Sequence, residues 1–375
     1  MKTRFALILA LAIIVIVAAA GAVTLRSSPR LARRDTTYTP PAGAVVTMFP
    51  ATGGTTVRTL TIEAATDVSF SRAFITDFQR AYPELAVRYV DLLSSALFSH
   101  AASLCESRSP SADLYLTVAT DHLVRLANDG CATTLPAKVT RAVPNWAQWR
   151  RNVVAFSLEP GVFVYNKRLI APDRVPRDHL QLIEALRGDT DFWRGRIGTY
   201  DIRQAGSGYV YASSDARQSA TYGRLIESFG RSRIRTYCCS NEMVDAVAKQ
   251  EILFAYNVQK SYAFAGARRD PDLGVVIPSD YQAMQTRSVM VTRDAPNSRE
   301  AIAFVAYLTS ARGQRMAAVQ LSPLESLEAF HGVSPRLVSP VAVGPVLLGL
   351  DDQARRNRFI EEWTRAITPA DPASR

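Results

Sequence analysis

The chain has 375 residues, enough for about two domains, and apolar residues make up 47% of it, which is ample for buried cores. Its formal net charge is +10, but the basic residues are scattered rather than clustered with aromatic residues, so a nucleic-acid-binding protein is not expected. The excess positive charge is either a solvated surface or a field that attracts an anionic ligand.

The N-terminus has the features of an export signal. Lys2 and Arg4 precede an unbroken apolar run from Phe5 to Val23, and small residues near its end form an Ala-Gly-Ala cleavage site. The run also has nearly the length that crosses a bilayer. Residues 1–23 are therefore either a cleaved signal peptide or a membrane anchor. We expect a periplasmic protein that touches the inner membrane only through residues 5–23.

The next segment, residues 24–56, is rich in proline and glycine and has little periodicity, so we predict a flexible tether. From Thr59 onward, strand-length apolar runs alternate with helix-length stretches, as in a parallel α/β sheet. The predicted strands are Thr59–Ala65, Val87–Val90 and Ala112–Val118, and the predicted helices begin near Asp67, Ser94 and Asp121. The first of these helices carries Phe70, Phe74 and Phe78 on one face.

A second α/β region follows two extended runs, Val153–Phe156 and Val162–Tyr165, which are separated by Pro160-Gly161. Its predicted strands are Arg196–Tyr200 and Ile252–Tyr256, and its predicted helices begin near His179, Ser207, Ser240 and Val258. A strand at Ser288–Thr292 returns the chain to the first region. Helices are predicted at Glu300–Thr309 and Leu350–Ile367.

The chain has four cysteines, Cys105, Cys131, Cys238 and Cys239. An even number in an exported protein permits disulfides, and Cys105 and Cys131 flank one helix-sized stretch, so we predict a bridge between them. The adjacent pair forms either a vicinal disulfide or two thiols. Because a zinc site normally takes four ligands and no nearby His or Cys completes one, we predict no metal site.

Four segments resemble one protein family when taken in their order and spacing. They are Pro83-Glu-Leu-Ala-Val, Ala112-Asp-Leu, Val162-Phe-Val-Tyr-Asn-Lys and Phe192-Trp-Arg-Gly-Arg-Ile-Gly. Together they resemble family-1 extracellular solute-binding proteins of ABC transporters, in the branch with ferric-iron-binding and phosphoglycerate transport regulatory members. The C-terminal run Leu347-Leu-Gly-Leu-Asp-Asp-Gln and the helix with Trp363 resemble the phosphoglycerate-sensing members. The resemblance covers roughly Thr59 to Ile367.

The resemblance implies an α/β fold of the two-lobed periplasmic binding protein type II, with hinge strands and a central ligand cleft. The crossing strands would lie near Phe156–Tyr165 and near Arg287–Thr292. The first lobe would then be discontinuous, with residues 57–160 plus 288–375, and the second lobe would span residues 161–287.

Ligands in open α/β sheets bind beyond the carboxyl ends of the strands, so the loops after the predicted strands are the candidate site. In the first lobe these loops place small polar residues at helix starts, where free N–H groups favour an anion. The candidates there are Thr66, Asp67, Ser69, Ser94, Ser95 and Thr120. The alternative is that these residues only cap their helices.

The second lobe supplies further candidates from three loops. They are Arg203, Ser207, Gly208, Tyr209, Tyr256, Asn257, Ser261 and Tyr262. Arg203 offers a guanidinium for a carboxylate or phosphate, or faces solvent; the tyrosines bind ligand or pack in the core. The ferric-binding relatives have an adjacent tyrosine pair near this point, whereas Lys260-Ser-Tyr-Ala has a single tyrosine. A phosphorylated or carboxylated organic ligand therefore fits better than a ferric ion.

We thus predict an extracytoplasmic binding protein that captures a small anionic ligand for an ABC permease or for a membrane sensor kinase of two-component signalling. We expect a monomer without a cofactor, a nucleic-acid partner or catalytic activity. The alternatives are a ferric-iron-binding transport protein and, in another class, a secreted hydrolase. The hydrolase has little support, because the four histidines have no metal-ligand spacing and no G-x-S-x-G motif is present.

Overall fold

The computed structural model describes residues 38–327 and 338–368. The predicted signal peptide or anchor and the first part of the predicted tether, residues 24–37, lie outside this range. Within it, no helix combines the length and the apolar character needed to cross a membrane.

Within residues 38–327 and 338–368, thirteen strands, β1–β13, form the sheet structure. In chain order they are Val45–Phe49, Arg58–Ala65, Leu85–Asp91, Leu114–Thr117, Gln148–Trp149, Val153–Asn166, Ile197–Tyr200, Arg235–Tyr237, Phe254–Gln259, Leu273–Val276, Gln282–Val291, Ser322–Pro323 and Val338–Pro340.

Fourteen α-helices, α1–α14, lie in the described ranges. In chain order they are Val68–Gln79, Ser94–Glu106, Thr120–Asn128, Ala137–Thr140, His179–Gly188, Thr190–Trp193, Gly206–Gln218, Tyr222–Arg231, Ser240–Ala248, Lys260–Arg269, Ser298–Leu308, Ala311–Ala317, Pro345–Leu350 and Gln353–Ile367. Short 3₁₀ helices occur at Asn145–Ala147, Pro172–Arg174 and Leu324–Ser326.

We call the part built on β1–β4 the first lobe. Its sheet has the order β1-β3-β2-β4-β11-β6, in which β2 pairs in parallel with β3 and β4. Helix α1 covers this sheet with Phe70, Phe74 and Phe78, all of which are buried, so the predicted apolar face is confirmed. Strand β1 pairs antiparallel with β3 at the edge of the sheet. The tether predicted over residues 24–56 is therefore too long, because its apolar Val45–Phe49 stretch adds a strand to the sheet.

We call the part built on β7–β10 the second lobe. There β7 pairs in parallel with β8 and β9, and β9 pairs antiparallel with β6. The two sheets thus share β6, which is one continuous strand and not the two predicted runs. It pairs with β11 up to Pro160 and with β9 from Gly161 onward, so the change of partner falls where proline cannot donate to the ladder. The lobe boundaries stay predictions.

Gly161 is required by close packing at this change of sheet. A Cβ atom there would lie 2.6 Å from Oδ1 of Asn257, because β6 passes directly against β9 and α7 at this point. A larger residue would have to displace the side chain of Asn257 or shift the crossing strand.

The C-terminal segment contacts both lobes. Helix α13 packs on α3 of the first lobe, and α14 packs on α8 of the second. Tyr209 of α7 donates to the carbonyl of Leu350, the last residue of α13, at 2.7 Å. Gly230 of α8 lets α14 approach closely, since a Cβ there would lie 2.1 Å from the carbonyl oxygen of Ala366. The buried Trp363 anchors this contact.

The four cysteines form two pairs in the structure. Cys105, at the end of α2, is bonded to Cys131, with 5.6 Å between their Cα atoms and 26 residues of separation. Cys238 and Cys239 are bonded to each other, directly before α9. The first pair ties α2 to the segment after α3, and the second lies at the carboxyl end of β8.

Candidate functional site

A cavity of about 350 Å³ lies between the two lobes. The first lobe lines it with the carboxyl ends of β2, β3 and β4, through residues 65–67, 91–94 and 117–119. The second lobe lines it with Tyr200 at the end of β7, Cys238 and Cys239 after β8, and Gln259 at the end of β9. The cavity therefore occupies the position where open α/β sheets bind their ligands.

In the part of the chain that the structure describes, six helices begin at this cavity. The residues immediately before α1, α2, α3, α7, α9 and α10 all line it; they are Asp67, Leu93, Ala119, Ala205, Cys239 and Gln259. Each helix start carries N–H groups without an intrahelical partner and the positive end of a helix dipole. Their convergence makes the cavity favourable for negative charge.

None of these six N-cap side chains accepts a hydrogen bond from its helix. Elsewhere in the described part of the chain, Asp178, Asp189, Ser310 and Asp352 do cap α5, α6, α12 and α14 in this way. In the described part of the chain, side-chain capping thus occurs only away from the cavity, although α4, α8, α11 and α13 also begin without it. The predicted alternative, in which Asp67 merely caps α1, is not what the structure has.

Two hydrogen bonds join the walls of the cavity. The backbone N–H of Asp67 donates to the hydroxyl of Tyr262 at 3.1 Å, and the N–H of Gly206 donates to the hydroxyl of Ser94 at 3.1 Å. Each bond links a first-lobe residue to a second-lobe residue. The structure therefore has the two lobes in contact on either side of the cavity.

The cavity also contains two carboxylates, Asp67 and Asp91, and no Lys, Arg or His among the described residues that line it. Burial, followed by the charge of Asp67, raises the pKa of Asp91 to about 7, opposed by a hydrogen bond from the backbone N–H of Val68. Asp91 accepts this hydrogen bond from the first residue of α1, so an acidic side chain already lies at the start of that helix. Near neutral pH it is partly protonated, so it can donate to a ligand as well as accept from one.

Five of the fourteen predicted binding residues line the cavity: Thr66, Asp67, Ser94, Ser207 and Tyr262. Ser69 lies instead in an adjoining groove of about 290 Å³, with Asp67 and Tyr262 between the two spaces. The structure brings the other eight predicted residues to other places.

Four of these eight are held by local partners or lie beside the cavity. The hydroxyl of Thr120 donates to the carbonyl of Thr286 at 2.9 Å, and Arg203 forms an ion pair with Asp201 at 2.6 Å. Ser261 donates through its N–H and its hydroxyl to the buried carboxylate of Glu159. Ser95 is half-buried on α2, one residue beyond the residues that line the cavity.

The remaining four lie within the second lobe or against the C-terminal segment. Gly208 packs on Tyr200, and Tyr209 packs on α14. The side chains of Tyr256 and Asn257 both donate to the buried carboxylate of Asp215, at 2.8 and 2.6 Å. They therefore satisfy an internal acidic group. The two neighbours reach the same carboxylate because Asn257 has a φ of 58°, which interrupts the alternation of side chains along β9.

Sequence reasoning missed several residues of the cavity, above all Asp91, Gln204, Asn241 and the adjacent cysteines. Asp91 ends β3, one residue beyond the predicted strand. The same expectation that selected Thr66, a ligand site just after a strand, would therefore also have selected Asp91. For Asn241 the signal was available too, because the helix starting at Ser240 was predicted and follows a strand.

Beneath the cavity, a buried ion pair connects the crossing strands to both lobes. Arg287 of β11 lies 2.9 Å from Glu159 of β6, and both side chains are almost fully buried. Glu159 accepts two hydrogen bonds from Ser261 of α10, each at 2.9 Å. Arg287 donates through Nε to the hydroxyl of Thr66, at 3.2 Å. The hinge strands are thus bonded to the cavity wall of the first lobe and to a helix of the second.

Comparison with solved structures supports this architecture. A substrate-binding protein of an ABC transporter from Agrobacterium tumefaciens matches with 31% identity and a TM-score of 0.82, over 87% of this chain and 99% of that one. Two others share the fold at lower identity. Iron-bound HitA from Pseudomonas aeruginosa has 18% identity and a TM-score of 0.62 over 80% and 99% of the chains. AfuA from Actinobacillus pleuropneumoniae, with fructose 6-phosphate bound, has 15% identity and a TM-score of 0.64, over 83% of this chain and 99% of that one.

The fold is therefore the predicted two-lobed periplasmic binding protein type. Among curated proteins, no sequence matches the chain. The family model described as bacterial extracellular solute-binding protein matches residues 60–319, which include every strand that reaches the cavity from β2 to β9. Such proteins bind a small ligand for an ABC transporter outside the cytoplasm. The chain belongs to the bacterial extracellular solute-binding protein family.

Proposed function

We propose that this protein captures a small anionic metabolite, with a phosphate or carboxylate group, in the cavity between its lobes. The observation that carries the proposal is the convergence of six helix starts without a side-chain cap from the N-cap residue. One N–H in the first turn of α7, α10 and α1 is already bound, by Ser94, Glu159 and Asp91, and the proposal rests on the N–H groups that remain. An anion satisfies such groups and the helix dipoles together. The net charge of +10 adds a field that attracts anions from solution.

The carboxylates of the cavity refine the chemistry of this ligand. Asp67 and Asp91 repel a bare anion, so they favour a ligand that also carries hydrogen-bond donors such as hydroxyl groups. A volume of about 350 Å³ suits a metabolite of the size of a sugar phosphate or hydroxy acid. AfuA, which shares the fold, binds fructose 6-phosphate in its crystal structure, and this supports the same ligand class here.

Ferric ion is the competing ligand, because HitA carries iron. Iron would require anionic oxygen donors, and the cavity offers the phenols of Tyr200 and Tyr262 beside its two carboxylates. Burial raises the pKa of both phenols, which disfavours the phenolate form that iron binds. This argument favours the organic anion.

The proposed cellular role is delivery of the ligand to an ABC permease, by a monomeric protein in the periplasm. The family assignment supports transport, and presentation of the ligand to a sensor kinase is the alternative role. We propose no catalytic step, because the cavity is a binding site built from backbone groups and short polar side chains.

Isothermal titration tests the ligand class directly. We expect the purified protein to bind at least one of 3-phosphoglycerate, fructose 6-phosphate and citrate, and to bind ferric citrate no more tightly than citrate alone. Absence of heat with all three organic anions, or a clear preference for the iron complex, would refute the proposal.

A matched pair of variants tests the role of the helix starts. Leu93 precedes α2, lines the cavity and is 45% exposed, so a polar side chain is tolerated there. Leu93→Asp adds a negative charge at the helix start, and we expect it to weaken anion binding about tenfold. Leu93→Asn has the same size and capping ability without the charge, and should bind nearly as wild type. Equal affinity of the two variants would contradict an anion at this place.

A further inference from the structure

The adjacent cysteines lie in the cavity and have no evident structural task. Cys238 and Cys239 line it from the second lobe and are partly exposed to it, and Cys239 is the N-cap residue of α9. A disulfide stabilises a fold by restricting the unfolded chain, and the effect grows with the length of the loop that it closes. The Cys105–Cys131 bond closes a loop of 26 residues, whereas two neighbouring cysteines enclose none. Stability therefore does not account for this pair.

The structure places a carboxylate group beside both sulfur atoms. A carboxylate oxygen of Glu242, in the first turn of α9, and the two Sγ atoms all lie within 4.8 Å of one another. The sequence-based expectation of no metal site considered only His and Cys as completing ligands, and so it omitted this glutamate. Two sulfurs and one carboxylate on one side, with the cavity on the other, resemble a three-ligand site with an open coordination position.

We propose that Cys238, Cys239 and Glu242 form a redox-controlled site for a thiophilic divalent cation such as Zn²⁺ or Cd²⁺. Two molecules of a small thiol reduce the disulfide: each cysteine sulfur gains one electron and one proton, and the thiol is oxidised to its own disulfide. The cation then replaces the two thiol protons, binds both thiolates and Glu242, and releases two H⁺. The start of α9 stabilises the thiolate of Cys239. In the disulfide form the site is closed to metal.

Hydrogen bonds hold the backbone beside the two cysteines in place. The hydroxyl of Ser240, next to Cys239, accepts a hydrogen bond from the N–H of Gln259 at 3.0 Å and is bonded to the hydroxyl of Tyr200. These bonds tie the start of α9 to the ends of β7 and β9. Reduction of the disulfide therefore leaves in place the backbone that carries both sulfur atoms. Thiolate ligands select soft cations over Mg²⁺ or Ca²⁺.

Cadmium binding after selective reduction tests the proposal. A phosphine reductant serves in the test, because thiols themselves bind Cd²⁺; it takes an oxygen atom from water as the disulfide gains its two hydrogens. We expect about one Cd²⁺ per reduced chain, with an ultraviolet thiolate-to-metal absorption band, and neither in the oxidised protein. Glu242→Gln removes the carboxylate from the site and should weaken Cd²⁺ binding about tenfold or more.

Two controls separate this site from adventitious binding. The variant Cys238→Ser/Cys239→Ser keeps the Cys105–Cys131 pair and should lose the absorption band. Asp245→Asn lies on the same helix, where Asp245 pairs with Arg269 at 3.8 Å, and should bind Cd²⁺ like wild type. Circular dichroism checks that each variant is folded. A reduced wild-type protein without the band, a band that survives in the double cysteine variant, or equal loss in Asp245→Asn and Glu242→Gln would overturn the proposal.

Discussion

The buried pair of Glu159 and Arg287 makes the sharpest prediction about the hinge. Glu159→Gln keeps the size of the side chain, but its one carbonyl oxygen can accept only one of the two hydrogen bonds from Ser261. It also removes the charge that faces Arg287 at 2.9 Å. Because Arg287 is fully buried, its guanidinium cannot turn to water for compensation. Loss of one partner from a buried ion pair typically costs about 3–5 kcal/mol. We therefore expect Glu159→Gln to lower the free energy of unfolding by about 3 kcal/mol or more.

Urea unfolding of wild type and variants provides the measurement, with slopes compared to verify that the same surface is exposed. Arg287→Met removes the charge that Glu159→Gln leaves unpaired, so the double variant should be less destabilised than the sum of the single variants. The exposed pair of Arg187 and Glu227 serves as the control, and Glu227→Gln should cost at most about 1 kcal/mol. If Glu159→Gln costs no more than Glu227→Gln, or if the single effects are additive, the hinge pair is not energetically coupled.

Three further predictions concern the cavity and the longer disulfide. Asp91, whose pKa is raised to about 7, should take up protons when an anion binds nearby, so the affinity for the anion should fall as pH rises from 6 to 8. Calorimetric titration in two buffers of different ionisation enthalpy should detect this proton uptake, and Asp91→Asn should abolish it. Tyr262→Phe removes the hydroxyl that accepts from the N–H of Asp67 across the cavity, and should weaken ligand binding about fivefold by titration calorimetry, for a loss of about 1 kcal/mol; unchanged affinity would mean that this bond does not contribute to closure. Replacement of both Cys105 and Cys131 by serine should cost about 3.5 kcal/mol in urea unfolding, from the entropy of a 26-residue loop, and a cost near zero would contradict this origin.

Much of the fold could be predicted because the strand–helix alternation is local. Strand-length segments rich in aliphatic and aromatic residues place β2, β3, β4, β7 and β9 to within a few residues. The continuity of β6 could not be predicted, because Pro160-Gly161 normally ends a strand. In this fold the proline falls between two pairing partners, and tertiary contacts override the local signal.

The site could be predicted better in the first lobe than in the second. Thr66 and Asp67 directly follow β2, and Ser94 begins the helix after β3, so the preference of ligands for the carboxyl ends of strands is sufficient to find them. Tyr256 and Asn257 lie within β9, where the direction of each side chain depends on strand register and on the buried Asp215. No local pattern contains that information.

The C-terminal segment gives the molecule a third link in addition to its two crossing strands. Because α13 is seated on α3 and α14 on α8, any opening that separates those two helices must stretch or detach the segment between them. A fluorophore on the exposed Arg358 of α14 would therefore report opening and closing from outside the cavity, without contact with the ligand. The tail of this chain is thus a natural attachment point for a biosensor of whatever solute the cavity takes.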